Sequence, residues 1–164
     1  MAEIDPKVFR TTLGTFPTGV VIVSAATPAG PVGMAIGSFT SVSLDPPLVG
    51  FLPGNTSSTW PKIEEAGAFA VNVLAADQLD ICQAFSYKDE TRLAELTWRT
   101  ETTGAPVIEG VLSWMDCTID AVAPAGDHWW VTGRIEALAV ARDDIGPLLF
   151  FRGIYGDFEA LPSS

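Results

Sequence analysis

The stretch VLSWMDCTIDAVA (111–123), followed across Pro-Ala-Gly-Asp by HWWVTGRIEALAVA (128–141), decides the fold. Both halves read as long strands, the second alternating in strand fashion, and the four residues between them carry a turn signal. Working outward, GVVIVSAA (19–26) reads as a strand. Thr-Pro-Ala-Gly-Pro (27–31) breaks it in hairpin fashion, and VGMAIGSFTSVS (32–43) forms the next strand, ended by Asp45-Pro46-Pro47. LVGFL (48–52) and AFAVNVL (68–74) add two more, with Phe69, Val71 and Val73 on one face, and PLLFFRGIY (147–155) closes the series as one short strand. Many strands without βαβ alternation or internal repeat predict a closed or half-closed antiparallel barrel.

Helices are few. DPKVFRTTLG (5–14) has Asp5 as N-cap, Pro6 in the first helical position and Gly14 as its stop. SSTWPKIEEAG (57–67) repeats that grammar, with hydroxyls before it, Pro61 in its first turn and Gly67 after it. DQLDICQAF (77–85) predicts a third helix, capped by Asp77, with Leu79, Cys82 and Phe85 inward. Residues 89–110 are the least regular part and read as an excursion ending in Gly-Ala-Pro.

Of 164 residues, 48% are hydrophobic, enough for one real core and one domain. No apolar run approaches the roughly 18–20 residues of a membrane span. MAEIDPKVFR lacks a basic segment followed by an apolar one, so no secretory signal is expected and a cytoplasmic location is. Twenty acids against nine bases give a formal charge of −11, which disfavours nucleic acid as a partner. An anionic ligand would then rest on aimed backbone N–H groups and hydroxyls. Cys82 and Cys117 stand far apart with a lone histidine to assist, so neither zinc nor a disulfide framework is expected; both read as small buried hydrophobes.

The chain carries no GxGxxG opening a helix after a strand, no GxxxxGK[ST] and no GxSxG. An organic cofactor is therefore the expected carrier of any difficult chemistry. In residues 32–37, bulky Val32, Met34 and Ile36 alternate with Gly33, Ala35 and Gly37, leaving one face nearly bare for a backbone or a flat ligand. Hydroxyl-rich stretches at Ser38–Ser43 and Asn55–Thr59 flank LVGFL; they suit a ligand site, with a phosphate seat at the helix start, or equally turns and caps bonding their own backbone. His128 opens a strand followed by Trp129 and Trp130, which must point to opposite faces.

GMAIGSFTSVSLDPPLVGF (33–51), NTSSTWPKI (55–63), AFAVNVLAADQ (68–78), GAPVIEGVLSWMDC (104–117), GDHWWVTGRI (126–135) and PLLFFRGIYG (147–156) follow one another over nearly the whole chain. Together they resemble the short-chain flavin reductases of the flavin reductase-like family, whose members supply reduced flavin in two-component monooxygenase systems. The resemblance implies a mainly β fold, an FMN-binding split β-barrel, antiparallel and of Greek-key type, with a few short flanking helices, as one domain over residues 1–164. It implies that Ala35, Gly37, Ser38, Phe39, Thr40 and Ser41 hold a flavin, partly through backbone groups. Asn55, Ser57, Ser58 and Thr59 would hold its ribityl phosphate end, with Phe85 also at the flavin. His128 would be the catalytic residue beside the nicotinamide, and Arg152, Gly153 and Tyr155 would form the dinucleotide side. The implied cofactors are FMN or FAD with NADH, NADPH being the alternative, and no metal. The implied partners are a second copy of the chain and a flavin-dependent monooxygenase.

Two departures stand out. Gly37 occupies a position where many relatives have Asn or Ser, and Pro53-Gly54-Asn55 lacks the base many carry before the Ser-Ser pair. Modest flavin affinity is the expectation. The activity implied is hydride transfer from NAD(P)H to flavin, with His128 orienting and electrostatic rather than an obligatory proton donor. The alternative is a flavin carrier or bound-flavin redox module without NAD(P)H turnover, against which the intact GDH run argues.

Overall fold

Helix α1 (Pro6–Leu13) starts where expected, with the Asp5 carboxylate accepting from Lys7 N at 2.7 Å, and ends at Gly14. The computed structural model describes residues 4–86 and 90–162. The start of the expected 89–110 excursion and the ends of the 1–164 domain lie outside these residues.

Strands β1 (Thr18–Gly19), β2 (Val21–Thr27), β3 (Gly30–Ile36), β4 (Thr40–Ser43) and β5 (Leu48–Phe51) follow, then α2 (Trp60–Ala66) and β6 (Ala68–Val73). A 3-10 turn at Ala76–Gln78 runs into α3 (Leu79–Ser86), and a second covers Glu90–Glu95. The remaining strands are β7 (Trp98–Thr100), β8 (Pro106–Ile108), β9 (Ser113–Ala125), β10 (His128–Val140), β11 (Leu149–Phe151) and β12 (Ile154–Gly156).

Seven strands form one antiparallel sheet in the order β3-β2-β6-β9-β10-β5-β4, with the β9–β10 hairpin inserted between β5 and β6. Its two edges, β3 and β4, are consecutive in sequence. In a flat sheet six strand spacings would part them by about 29 Å. The four steps from Ile36 to Thr40 span at most about 14 Å. The sheet must therefore curl until its edges nearly meet, which is the barrel.

Alternation along β2 shows both faces at work. Val21, Val23 and Ala25 join Val32, Val49, Phe51, Phe69, Val71, Cys117 and Val131 in the barrel interior, closed by Trp60 and Ile63 of α2. Ile22 faces the outer core with Ala70, Leu74, Cys82, Phe85, Leu93, Val107 and Trp114. Both cysteines are buried, as expected.

Three sequence expectations change. Residues 32–43 are two strands, because the chain leaves β3 at Gly37 and rejoins the sheet on the opposite edge. Residues 147–155 fold back as the hairpin β11–β12, since Arg152 (φ 50°) and Gly153 (φ 82°) both take the left-handed conformation of a two-residue turn. Asp77 caps nothing: it accepts from Arg142 Nη1 at 3.1 and 3.2 Å, while the Gln78 side chain accepts from Ala75 N at 3.0 Å.

The irregular stretch also holds more order than its sequence shows. β7 pairs with β8, and β8 is pinned to the sheet by buried polar groups rather than by periodicity. Ser24 Oγ donates to Pro106 O at 2.5 Å, and Asn72 Oδ1 accepts from Ile108 N at 2.7 Å. The fully buried Asp116 carboxylate accepts from Thr103 N at 2.7 Å and from the Thr103 hydroxyl.

Candidate functional site

The seam of the barrel supplies the site. Gly37, Ser38 and Phe39 cross from one sheet edge to the other, with no strand paired to them among the described residues. Ser38 Oγ accepts from Leu52 N at 3.0 Å and donates to Leu52 O at 3.3 Å, tying the crossing to the end of β5. Phe39 packs against the interior core. Beside this crossing opens a cleft of about 480 Å³, lined by Met34, Ala35, Ile36, Gly37, Ser38, Leu52, Gly54 and His128.

His128 arrives from the far side of the sheet through topology. Because β10 pairs with β5, the start of β10 lies opposite the segment just past β5. Trp129 N donates to Pro53 O at 2.9 Å, Asn55 N donates to Asp127 O at 2.9 Å, and Gly54 bridges His128. Asn55 Nδ2 adds a bond to Gly126 O at 3.3 Å. The imidazole is 45% exposed, and its Nδ1 lies 2.7 Å from Asp127 Oδ1. That hydrogen bond, and then the charge of His128, hold the Asp127 carboxyl below its ordinary range. The other nitrogen, Nε2, faces Gly54, 3.8 Å from where a Cβ there would stand. Trp129 packs on the interior core, while Trp130 covers Gly50 on the outer face.

A second cleft of about 260 Å³ shares Ala35, Ile36 and Gly37 with the first and is completed by Thr18, Val20, Cys82, Phe150 and Tyr155. The Cys82 thiol donates to the Tyr155 hydroxyl at 3.4 Å, and the Tyr155 and Phe150 rings lie 5.0 Å apart. Arg152 stands further along, in a cleft of about 470 Å³ that Tyr155 also lines, with its guanidinium over the Phe151 ring. Gly153 forms the turn beside it.

The structure thus brings Ala35, Gly37, Ser38 and His128 together, and joins Tyr155 to Ala35 and Gly37 on the other side. Thr40 and Ser41 lie exposed on edge strand β4. Ser57 is occupied as a cap, its Oγ accepting from Thr59 N at 3.2 Å and Trp60 N at 3.1 Å; Ser58 is exposed and Thr59 buried. Phe85 is in neither cleft lining: it is 6% exposed, its ring filling the bare spot above Gly33. The lining residues that sequence reading did not assign to the site are Met34, Ile36, Leu52 and Gly54 in the first cleft and Thr18, Val20, Cys82 and Phe150 in the second. Only Gly54, after Pro53 at a strand end, carried a local signal, that of a backbone approached closely.

Residues 13–159 match the flavin reductase like domain. The chain is 52% identical over 161 residues to a flavin reductase of Pseudomonas putida, covering 98% of this chain and 94% of that protein. It is 44% identical to the reductase subunit HsaB of a flavin-dependent monooxygenase from Rhodococcus jostii, covering 95% and 80%. Among solved structures, an NADH:FAD oxidoreductase of Streptomyces globisporus, in complex with NAD and FAD fragments, superposes with a TM-score of 0.88 at 31% identity, covering 97% of this chain and 98% of that one. On sequence and on fold, this chain belongs to the flavin reductase-like domain family.

Proposed function

We propose that the protein is an NAD(P)H-dependent flavin reductase that reduces FMN or FAD and supplies the reduced flavin to a partner monooxygenase. One observation carries the reading: in a member of this family, Gly37 and Ser38 of the strand-free crossing and His128 border one cleft. The residues fit a flavin. A flat ring needs an apolar wall, and Met34, Ala35, Ile36 and Gly37 at the end of β3 supply one. A Cβ at Gly37 would already meet Thr18 Oγ1 at 3.3 Å.

The chemistry a bound flavin supplies is acceptance of a hydride from a reduced nicotinamide. The protein's part is positioning and electrostatics. Peptide N–H groups of Gly37–Phe39, outside any ladder, are the donors we assign to negative charge on a ring laid against them. The Ser38 hydroxyl is engaged with Leu52, so Ser38 would act through its backbone. Thr40 and Ser41 would extend that wall. We assign the ribityl phosphate end to Ser57, Ser58, Thr59 and nearby N–H groups; Ser57 Oγ accepts from Thr59 N and Trp60 N, and a hydroxyl that accepts can still donate. His128 is assigned to the nicotinamide, with Tyr155, Arg152 and Gly153 on the dinucleotide side.

We further propose one domain, a homodimer and a cytoplasmic setting. Support for the dimer comes from α1, which buries no residue while Val8, Phe9 and Leu13 are each more than half exposed. Ile154 at 70% exposed extends this apolar surface, and Arg152 N donates to Gly14 O, joining helix end to hairpin turn. A second copy would cover a face that water does not favour. Among the described residues, no helix is long and apolar enough to cross a membrane.

The test is oxidation of NADH and of NADPH by the purified protein, with and without FMN or FAD. Turnover that needs added flavin supports the reading. Absence of turnover with every pairing overturns it.

A further inference from the structure

We infer that Asp127 is a positioning residue: it fixes the proton of neutral His128 on Nδ1 and so presents Nε2 to the cleft as a hydrogen-bond acceptor. The carboxylate oxygen lies 2.7 Å from Nδ1. A carboxylate only accepts, so the imidazole must donate from that nitrogen. A neutral imidazole carries one N–H, and the nitrogen left bare is Nε2, which stands beside Gly54, a residue that lines the cleft together with His128. This pair does not depend on a freely swinging loop. The backbone bonds from Asn55 N to Asp127 O and from Trp129 N to Pro53 O fasten the hairpin tip on both sides of His128.

The consequence is a rule for the ligand. An acceptor in the cleft wall selects a ligand edge that donates. Resting here on the flavin reductase reading, the matching group is the carboxamide NH₂ of the nicotinamide; a carbonyl or phosphate oxygen would face a lone pair. It also gives Asn55 a different task from holding a phosphate, as part of the clamp that sets His128.

The chain's sole histidine makes the tautomer directly readable. Protein labelled with ¹⁵N-histidine and purified on a histidine-free tag would be studied by long-range ¹H–¹⁵N correlation at about pH 8.5, chosen to observe the neutral ring. The expected spectrum shows Nδ1 protonated and Nε2 bare, and Asp127→Ala shifts the population toward Nε2–H. The backbone clamp is unchanged by that substitution. Wild type with its proton on Nε2, or an unchanged tautomer in Asp127→Ala, overturns the inference.

Kinetics with 3-acetylpyridine adenine dinucleotide, reduced, test the second half, because its methyl ketone lacks the NH₂ donor. Asp127→Ala is expected to lower the preference for NADH over this analogue by about three- to tenfold in kcat/KM, the scale of one neutral hydrogen bond. An unchanged preference overturns the carboxamide assignment alone. The expected tautomer in a protein that oxidises no reduced nicotinamide with any flavin overturns the reductase reading and leaves the positioning role standing.

Discussion

Gly133→Ala adds one methyl group where the barrel has no space for it. A Cβ there would stand 2.3 Å from Phe69 Cζ, 2.7 Å from Phe69 Cε1 and 3.3 Å from Cys117 Cβ. Carbon atoms rest about 3.5–4.0 Å apart, so the ring must retreat by more than about 1 Å. Phe69 is fully buried and set edge-on to Phe51 at 5.2 Å, so its retreat displaces a second ring in the barrel interior. Overpacking of this kind costs about 1–3 kcal/mol, and the close approach puts Gly133 at the upper end. The reduced freedom of the unfolded chain returns about 0.4–1 kcal/mol. The net expectation is about 2 kcal/mol, or a Tm lower by about 4–8 °C for a chain of this size. Urea denaturation of Gly133→Ala, Phe69→Leu and the double variant measures it. Trimming the ring makes room for the methyl, so the double variant should be more stable than the sum of the singles by at least about 1 kcal/mol. A Gly133→Ala protein within about 0.5 kcal/mol of wild type, or strict additivity, would refute the packing argument.

At the site, His128→Ala is expected to raise the apparent KM for NADH more than it lowers kcat. Gly54→Ala should mimic it without loss of stability, because its Cβ would meet His128 Nε2 at an ordinary 3.8 Å and occupy the space a ligand needs. Steady-state kinetics and thermal melts read both, and a kcat-only loss would put His128 in a different role. Burial first, then the charges of Asp116 and Glu136, push the Cys117 thiol from an ordinary 9.0 up to about 12. A raised acid pKa stabilises the fold below the unfolded value, and that contribution fades as pH climbs from about 9 toward 12. Cys117→Ala should therefore flatten the alkaline decline in stability by up to about 1.4 kcal/mol per pH unit. Identical slopes in the two proteins would count against a buried neutral thiol.

The parts of the fold that could be read from sequence are those whose side chains answer to a local period. The β9–β10 pair, the two-faced apolar run of β2 and the Pro-started helices α1 and α2 declare themselves through alternation and capping residues. What escaped depends on distant partners. Nothing in VGMAIGSFTSVS says that its two halves sit on opposite edges of a seven-stranded sheet, because the break at Gly37 is set by barrel closure. The Arg152-Gly153 turn needs a left-handed arginine, a conformation sequence does not favour. β8 has three residues and is held by Ser24 and Asn72, more than thirty positions away. At the site, the resemblance pointed to Ala35, Gly37, Ser38 and His128, which meet. For Ser57 the bland alternative, a helix cap, describes what its hydroxyl does.

The position of the cleft follows from the same closure that hid it. A curled sheet whose first and last strands are joined by three residues leaves those residues outside its ladders, so the seam holds peptide groups that the central strands spend on their neighbours. Left open to water they cost nothing, and covered by a flat polar-edged ring they gain a partner. β5 ends beside the seam through the Ser38–Leu52 bonds, and β10 pairs with β5, so a hairpin that begins at residue 128 must deliver its first side chain to that opening. A histidine one position later, at Trp129, would point into the barrel interior, and two later, at Trp130, would cover Gly50 on the outer face. The register that builds the barrel and the register that presents the imidazole are one constraint. For that reason a slip in β10 pairing would cost the protein its site as well as its core.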